Sequence, residues 1–138
     1  MQAAIIDAVI DNGNLSNIFA KIKNLCERTE SRLIKCEVNG VGKLFIYQLK
    51  QILENCAAIQ DITTKGSKES RILSSAPMVQ EKVLVPNGWQ RIMPEFYKQI
   101  TTFKRLFNAN KYDDVPDALT AIIELEVIKR KPIIYVAS

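Results

Sequence analysis

The densest acidic feature of the chain is Tyr112-Asp113-Asp114-Val115-Pro116-Asp117-Ala118-Leu119. Pro116 suits the first turn of a helix, where a missing N–H costs nothing. Asp114 and Asp117 lie three apart and Asp113 and Asp117 four apart, so on a helix these carboxylates share one face. Hard oxygen donors gathered at one point are what Mg²⁺ or Mn²⁺ requires. Acids at a helix start also cap free N–H groups and complement the macrodipole, which is the commoner use of such a cluster.

Three further features have chemistry in reach. Glu37 closes an apolar strand directly before a glycine turn. Ligand crevices of open parallel sheets lie beyond the carboxyl ends of strands, so a carboxylate there is well placed, although the position also suits an ordinary exposed residue. Lys65, Lys68 and Arg71 cluster around an expected helix start, an arrangement fit for a phosphate backbone or for a solvated loop. Gly40-Val41-Gly42-Lys43 resembles a phosphate loop only briefly: Glu37 stands at the first glycine position and Leu44 follows the lysine, so G-x-x-x-x-G-K-[ST] fails. Asp7, inside the apolar run Ala3 to Ile10, reads as an edge marker.

The elements that must position these residues follow from periodicity and turn chemistry. Residues 3–10 form a short apolar run ended by Asp11-Asn12-Gly13-Asn14. Leu15, Ile18, Phe19, Ile22, Leu25 and Cys26 then predict a one-faced helix. Residues 32–38 read as a strand that turns through Asn39 to Gly42 into a second helix reaching about residue 55. A strand over 57–62 follows, then a polar loop and a helix capped by Ser67, with Ile72, Leu73 and Ala76 inward. Val83-Leu84-Val85 is a short strand closed by Pro86-Asn87-Gly88. One helix is expected to carry Ile92, Phe96, Ile100, Phe103 and Phe107, and a last helix runs from about Asp114 to Lys129 before a tail over 130–138. Strands alternating with helices predict an α/β layered fold with a largely parallel sheet, in a single domain over 1–138.

Composition removes several function classes. With 138 residues, 47% of them hydrophobic, the chain can bury a core without staples. It contains no histidine, which excludes Ser-His-Asp, Cys-His and imidazole–zinc chemistry within the chain. Its three cysteines, Cys26, Cys36 and Cys56, lie in apolar segments without CxxC spacing and read as buried reduced thiols. The net charge of +4 permits a polyanionic partner without demanding one. No membrane-length apolar run and no basic-then-apolar leader occur, so the expectation is a soluble, cytoplasmic protein without a membrane role.

Three segments occur in a meaningful order: Glu37-Val38-Asn39-Gly40-Val41-Gly42 after a strand, Lys65-Gly66-Ser67-Lys68-Glu69-Ser70-Arg71-Ile72, and Lys111-Tyr112-Asp113-Asp114-Val115-Pro116-Asp117-Ala118-Leu119. Over about residues 30–125 the chain resembles the nuclease domain of bacteriophage terminase large subunits, the DNA-packaging motor protein, as found in phages and prophages. The last segment is the most specific of the three. The resemblance implies an RNase H-like, resolvase-type fold, with a central mixed sheet flanked by helices. It also implies hydrolysis of double-stranded DNA with two Mg²⁺ or Mn²⁺ ions about 3.5–4 Å apart. Carried over by position, Glu37 would bridge or orient metal from the central strand. Asp117 would be a metal ligand on the last helix with Asp114 beside it, both catalytic, and Asp113 in support. Lys65, Lys68 and Arg71 would contact the phosphate backbone without reading sequence. The phage portal and the small terminase subunit are the partners implied.

The pattern also departs from the family's. The first catalytic Asp of such nucleases lies on a first strand, followed by a hairpin; here residues 3–10 resemble the last strand of that meander, and the upstream ATPase half has no counterpart. The expectation is a truncated domain lacking its first strands, with weakened metal affinity and impaired or no activity alone. Its uncovered sheet edge would invite a homodimer or a companion chain that supplies the missing strands. Two other functions stay open: a non-catalytic DNA-binding or protein-interaction module of the same fold, and a junction resolvase.

Overall fold

The computed structural model describes residues 2–11, 13–103, 113–126 and 134–136. Phe107 and residues 127–129 lie outside the described residues. The chain divides into two compact units: Val9–Thr64 with Lys131–Ser138, and Met1–Ala8 with Lys65–Arg130. The class is α/β, and every strand pair in the described residues is parallel.

In the first of these units, α1 (Leu15–Thr29) starts where the sequence places it. The Asn14 side chain accepts a hydrogen bond from the Ser16 N–H, as a cap of an orphan donor should. The helix stops at Glu30, which adopts the left-handed conformation and donates its N–H back to the last turn. Strand β2 (Leu33–Glu37) runs directly into α2 (Val38–Ile52), and β3 (Ala58–Ile62) follows. β2 is the central strand, between β3 and β5 (Ile134–Val136), with Glu37 in register with Ile62. The terminal segment expected to be a tail therefore supplies a strand: Ile-Tyr-Val is β-branched and aromatic, and it pairs along Ile34 to Cys36 of β2. Flanked on both edges, β2 buries Ile34, Lys35 and Cys36. Phe19, Ile22 and Cys26 of α1 and Leu49 of α2 join Leu53 and Ile34 in the core.

Gly42 marks a kink inside α2, at φ 77° and ψ 161°. Side chains are all but excluded from that region of backbone space. A Cβ there would meet nothing within 4 Å, so conformation alone sets the requirement for glycine.

In the second unit, β1 (Ala3–Ala4) pairs with β4 (Val83–Leu84), which follows α3 (Lys68–Lys82). Ser67 caps α3 by accepting from the Ser70 N–H. The single helix expected around Ile92 to Ile100 is broken. α4 (Trp89–Ile92) ends at Met93 and α5 (Pro94–Thr101) begins at the proline. Proline disfavours the α region for its predecessor, and Met93 sits at φ −132°, ψ 67°. The break leaves Ile92 62% exposed instead of inward. α6 (Asp114–Glu126) completes the unit, and Val115 and Leu119 pack with Met93 and Phe96. The N–H of Val115 donates to buried Gln99 Oε1 at 3.1 Å, so a side chain of α5 caps the start of α6. Among the described residues no helix is long and apolar enough to cross a membrane.

Two outcomes follow. Gly42→Ala should destabilise the protein by about 1–3 kcal/mol despite the open space, as read by urea denaturation; an unchanged midpoint would contradict the strain argument. Burial, followed by the charges of Asp61 and Glu37, pushes the Cys36 thiol up to about 11. Cys36 therefore keeps its proton at pH 8 and should resist a thiol reagent in the folded protein, while partly exposed Cys56 is modified first. Unfolded, the thiol ionises near its ordinary 9.0, so raising the pH from there towards 11 favours the unfolded chain. Rapid labelling of Cys36 in native protein at pH 8 would contradict this.

Candidate functional site

Helices α3 and α6 bring the acidic cluster and the basic cluster of one unit together. Lys68 lies at the first position of α3, and Arg71 one turn on. From α6 come Asp117 and Glu124, seven residues apart and so on the same face, and Asp113 precedes the first turn. Lys68 Nζ donates to Asp113 Oδ1 at 3.0 Å and lies 3.6 Å from Asp117 Oδ2. Arg71 Nη1 donates to Asp117 Oδ1 at 3.3 Å. Its Nε and Nη2 fork onto the carboxylate of Glu124, the shortest contact being 2.9 Å.

Burial makes this network costly to disturb. The Asp117 side chain is 4% exposed and that of Arg71 10%. A carboxylate so desolvated is stable only against a positive partner, and here two cations from one helix supply it. Asp117 also holds its own turn, since its N–H donates to the Asp113 carbonyl at 3.0 Å. For Lys68, burial is the largest single influence and works against its charge. The hydrogen bond to Asp113 and the charges of Asp117, Asp113 and Asp114 together outweigh it, so Lys68 holds its proton above the usual lysine range.

The residues singled out in the sequence are thus placed as follows. Asp113, Asp117, Lys68 and Arg71 form one ion-pair network, and half-buried Asp114 at the first position of α6 acts on it through its charge. Lys65 is exposed in the loop before α3. Glu37 belongs to the other unit, at the carboxyl end of central strand β2, where Thr64 Oγ1 donates to Glu37 Oε1. The carboxylate of Asp7 accepts from the Ala8 N–H at 2.8 Å. Among the described residues no group of three or more Cys, Asp or Glu side chains gathers closely enough to hold a metal ion by itself.

Two participants escaped the sequence reading. Glu124 had a signal, its spacing of two helical turns from Asp117. Thr64 had none in its own surroundings. It reaches Glu37 because parallel register sets Ile62 opposite Glu37, and Thr64 lies just past that strand end.

The arrangement is one of oriented carboxylates held by opposite charge. Asp113 and Asp117 turn oxygens towards one cationic point, the Lys68 ammonium. Arg71 is committed to two carboxylates at once, a bidentate geometry that lysine cannot reproduce.

The ionic character has a measurable consequence. Arg71→Met should cost about 3 kcal/mol, because it strips the Arg71 contact from a buried carboxylate. Adding Asp117→Leu should recover part of that loss in urea denaturation. A double variant less stable than Arg71→Met alone would overturn this account.

No protein-family model matches the chain, and no curated protein or solved structure matches it either.

Proposed function

We propose that this chain carries a metal-dependent DNA endonuclease site of the RNase H-like kind found in phage terminase large subunits. The observation that carries the reading is the Lys68 ammonium shared by Asp113 and Asp117, at 3.0 and 3.6 Å. Two carboxylates one helical turn apart address a single cationic point, with Asp117 sunk in the unit and fixed by Arg71. The ordered motifs around Glu37, Lys65 to Ile72 and Asp113 to Leu119 supply the choice of reaction class.

In this reading Asp117 and Asp113 would hold a divalent ion with Asp114 beside them, while Glu37, in the other unit, is assigned to the reaction by the resemblance alone. When bound, Mg²⁺ or Mn²⁺ activates a water and offsets charge developing on the scissile phosphate. The chain's own contribution is orientation. Arg71 ties Asp117 Oδ1 to the Glu124 anchor, which limits the rotation of the carboxylate. Exposed Lys65 meets the phosphate backbone, a contact that adds affinity without reading sequence. The setting is phage DNA packaging, with double-stranded DNA as substrate and the portal or the small terminase subunit as partners.

The test is plasmid nicking in Mn²⁺ with the chain and its Glu37→Gln and Asp117→Asn variants. The expected result is at most weak Mn²⁺-dependent nicking, as the absent first Asp implies, which each substitution abolishes. Nicking that survives both substitutions would sink the reading. Absence of cleavage with retained, salt-sensitive DNA binding would replace it with the non-catalytic module.

A further inference from the structure

Helix α2 is apolar on more sides than its own unit covers. Past the kink at Gly42, Ile46 and Leu49 turn inward and are buried, as is Leu53 just beyond the helix end. The opposite side leaves Leu44 70% and Tyr47 60% exposed, among the highest values for large apolar residues in the described chain. Lys43, Tyr47, Lys50 and Glu54 follow one another at spacings of four, three and four residues, so they form one stripe along this side, with Leu44 and Gln51 beside it. Glu54 stands in the turn after α2, where the Ala57 N–H still donates to the Leu53 carbonyl. Gln51 Nε2 donates to the Tyr47 hydroxyl at 3.0 Å and so orients the ring. Lys50 lies 3.7 Å from Asp61, both half exposed. Lys43 and Glu54, exposed at the two ends of the stripe, form no ion pair among the described residues.

We propose that this stripe is the interface with a second copy of the chain, the two α2 helices packing antiparallel about a two-fold axis. The stripe is its own complement when reversed. With the axis between positions 48 and 49, Lys43 meets the partner's Glu54 and Tyr47 meets the partner's Lys50, and the symmetry makes each contact twice. A cation and an acid about 16 Å apart along a helix match a second copy only in this antiparallel sense, since parallel pairing sets like charges together. Leu44 and Tyr47 leave water in the same step, and the Lys50 ammonium over the partner's ring adds a cation–π contact. A nucleic acid fits this face poorly, because Glu54 and Asp61 would stand against its phosphates. One helix face per copy is a small interface, so the dimer is a weak one. The inference does not depend on the nuclease reading.

The test is sedimentation equilibrium of the full chain and of two charge reversals, Lys43→Glu and Glu54→Lys. The unaltered chain should show a monomer–dimer equilibrium with a dissociation constant of about 100 μM, as a small interface permits. Both side chains are exposed, so neither substitution disturbs the core. Each sets like charges together at both ends of the interface and should raise the dissociation constant about tenfold. Mixed in equal amounts, the two variants should associate with each other as the unaltered chain does with itself, because each carries the charge that the other lacks. A chain that stays monomeric throughout overturns the proposal and leaves the face to a different partner. A dimer that either substitution leaves unchanged also overturns it, and so does a mixture that associates no better than its components.

Discussion

A carboxylate removed from water must find positive charge within a few ångströms, and Asp117 is the residue on which that demand falls most heavily. Its position fixes much of its unit. α6 presents Asp117 to the interior where α3 presents Arg71 and Lys68, so the ion pairs join the two helices at that point. Glu124 then extends the constraint two turns along α6 by engaging the other side of the Arg71 fork. The start of α6 is held from a third direction by Gln99, whose side-chain oxygen satisfies the Val115 N–H. The acids therefore stand on a helix end that is tied down by both charge and hydrogen bonding.

The other unit is organised by a different constraint, the burial of a parallel strand on both edges. β2 is buried from Ile34 to Cys36, and its last residue, Glu37, stands at the rim where the strand gives way to α2. Thr64 gives that carboxylate a hydroxyl donor because β3 runs parallel beside it and ends nearby. Immediately beyond, Gly42 lets α2 kink through a backbone conformation that a side chain would resist. Strand, acid and glycine form one continuous local device, in which each residue type answers to the geometry at its own position.

Much of this was legible in the residues. Ser67 announced its helix by capping chemistry, and the 3.6-residue rhythm from Leu15 to Cys26 marked the buried face of α1. The α/β class followed from the alternation of elements. The misreading near Ile92 came from giving hydrophobic spacing precedence over Pro94, whose ring acts on the residue before it. For the candidate site, the acids and the bases were both visible, but not that they would face each other. Ion pairing between Arg71 and Glu124 spans 53 positions, and no local pattern reports a contact of that range. Which oxygen of Asp117 meets which cation is likewise a property of helix packing and not of composition.

The two small sheets carry a consequence for how the protein is made. Ala3 pairs with Val83 and Ile34 with Ile134, so each sheet joins segments separated by most of the chain. At a synthesis rate of about 5–20 residues per second, β1 waits several seconds for its partner to be made. The central strand β2 meets β3 early but acquires its second neighbour only once Ile134–Val136 has been made. During that interval the backbone N–H and C=O groups along one side of the strand stand open to any other extended chain nearby. The nascent protein is thus exposed to mispairing until residues 134–136 have been made, and the strand they form is the one that closes that edge.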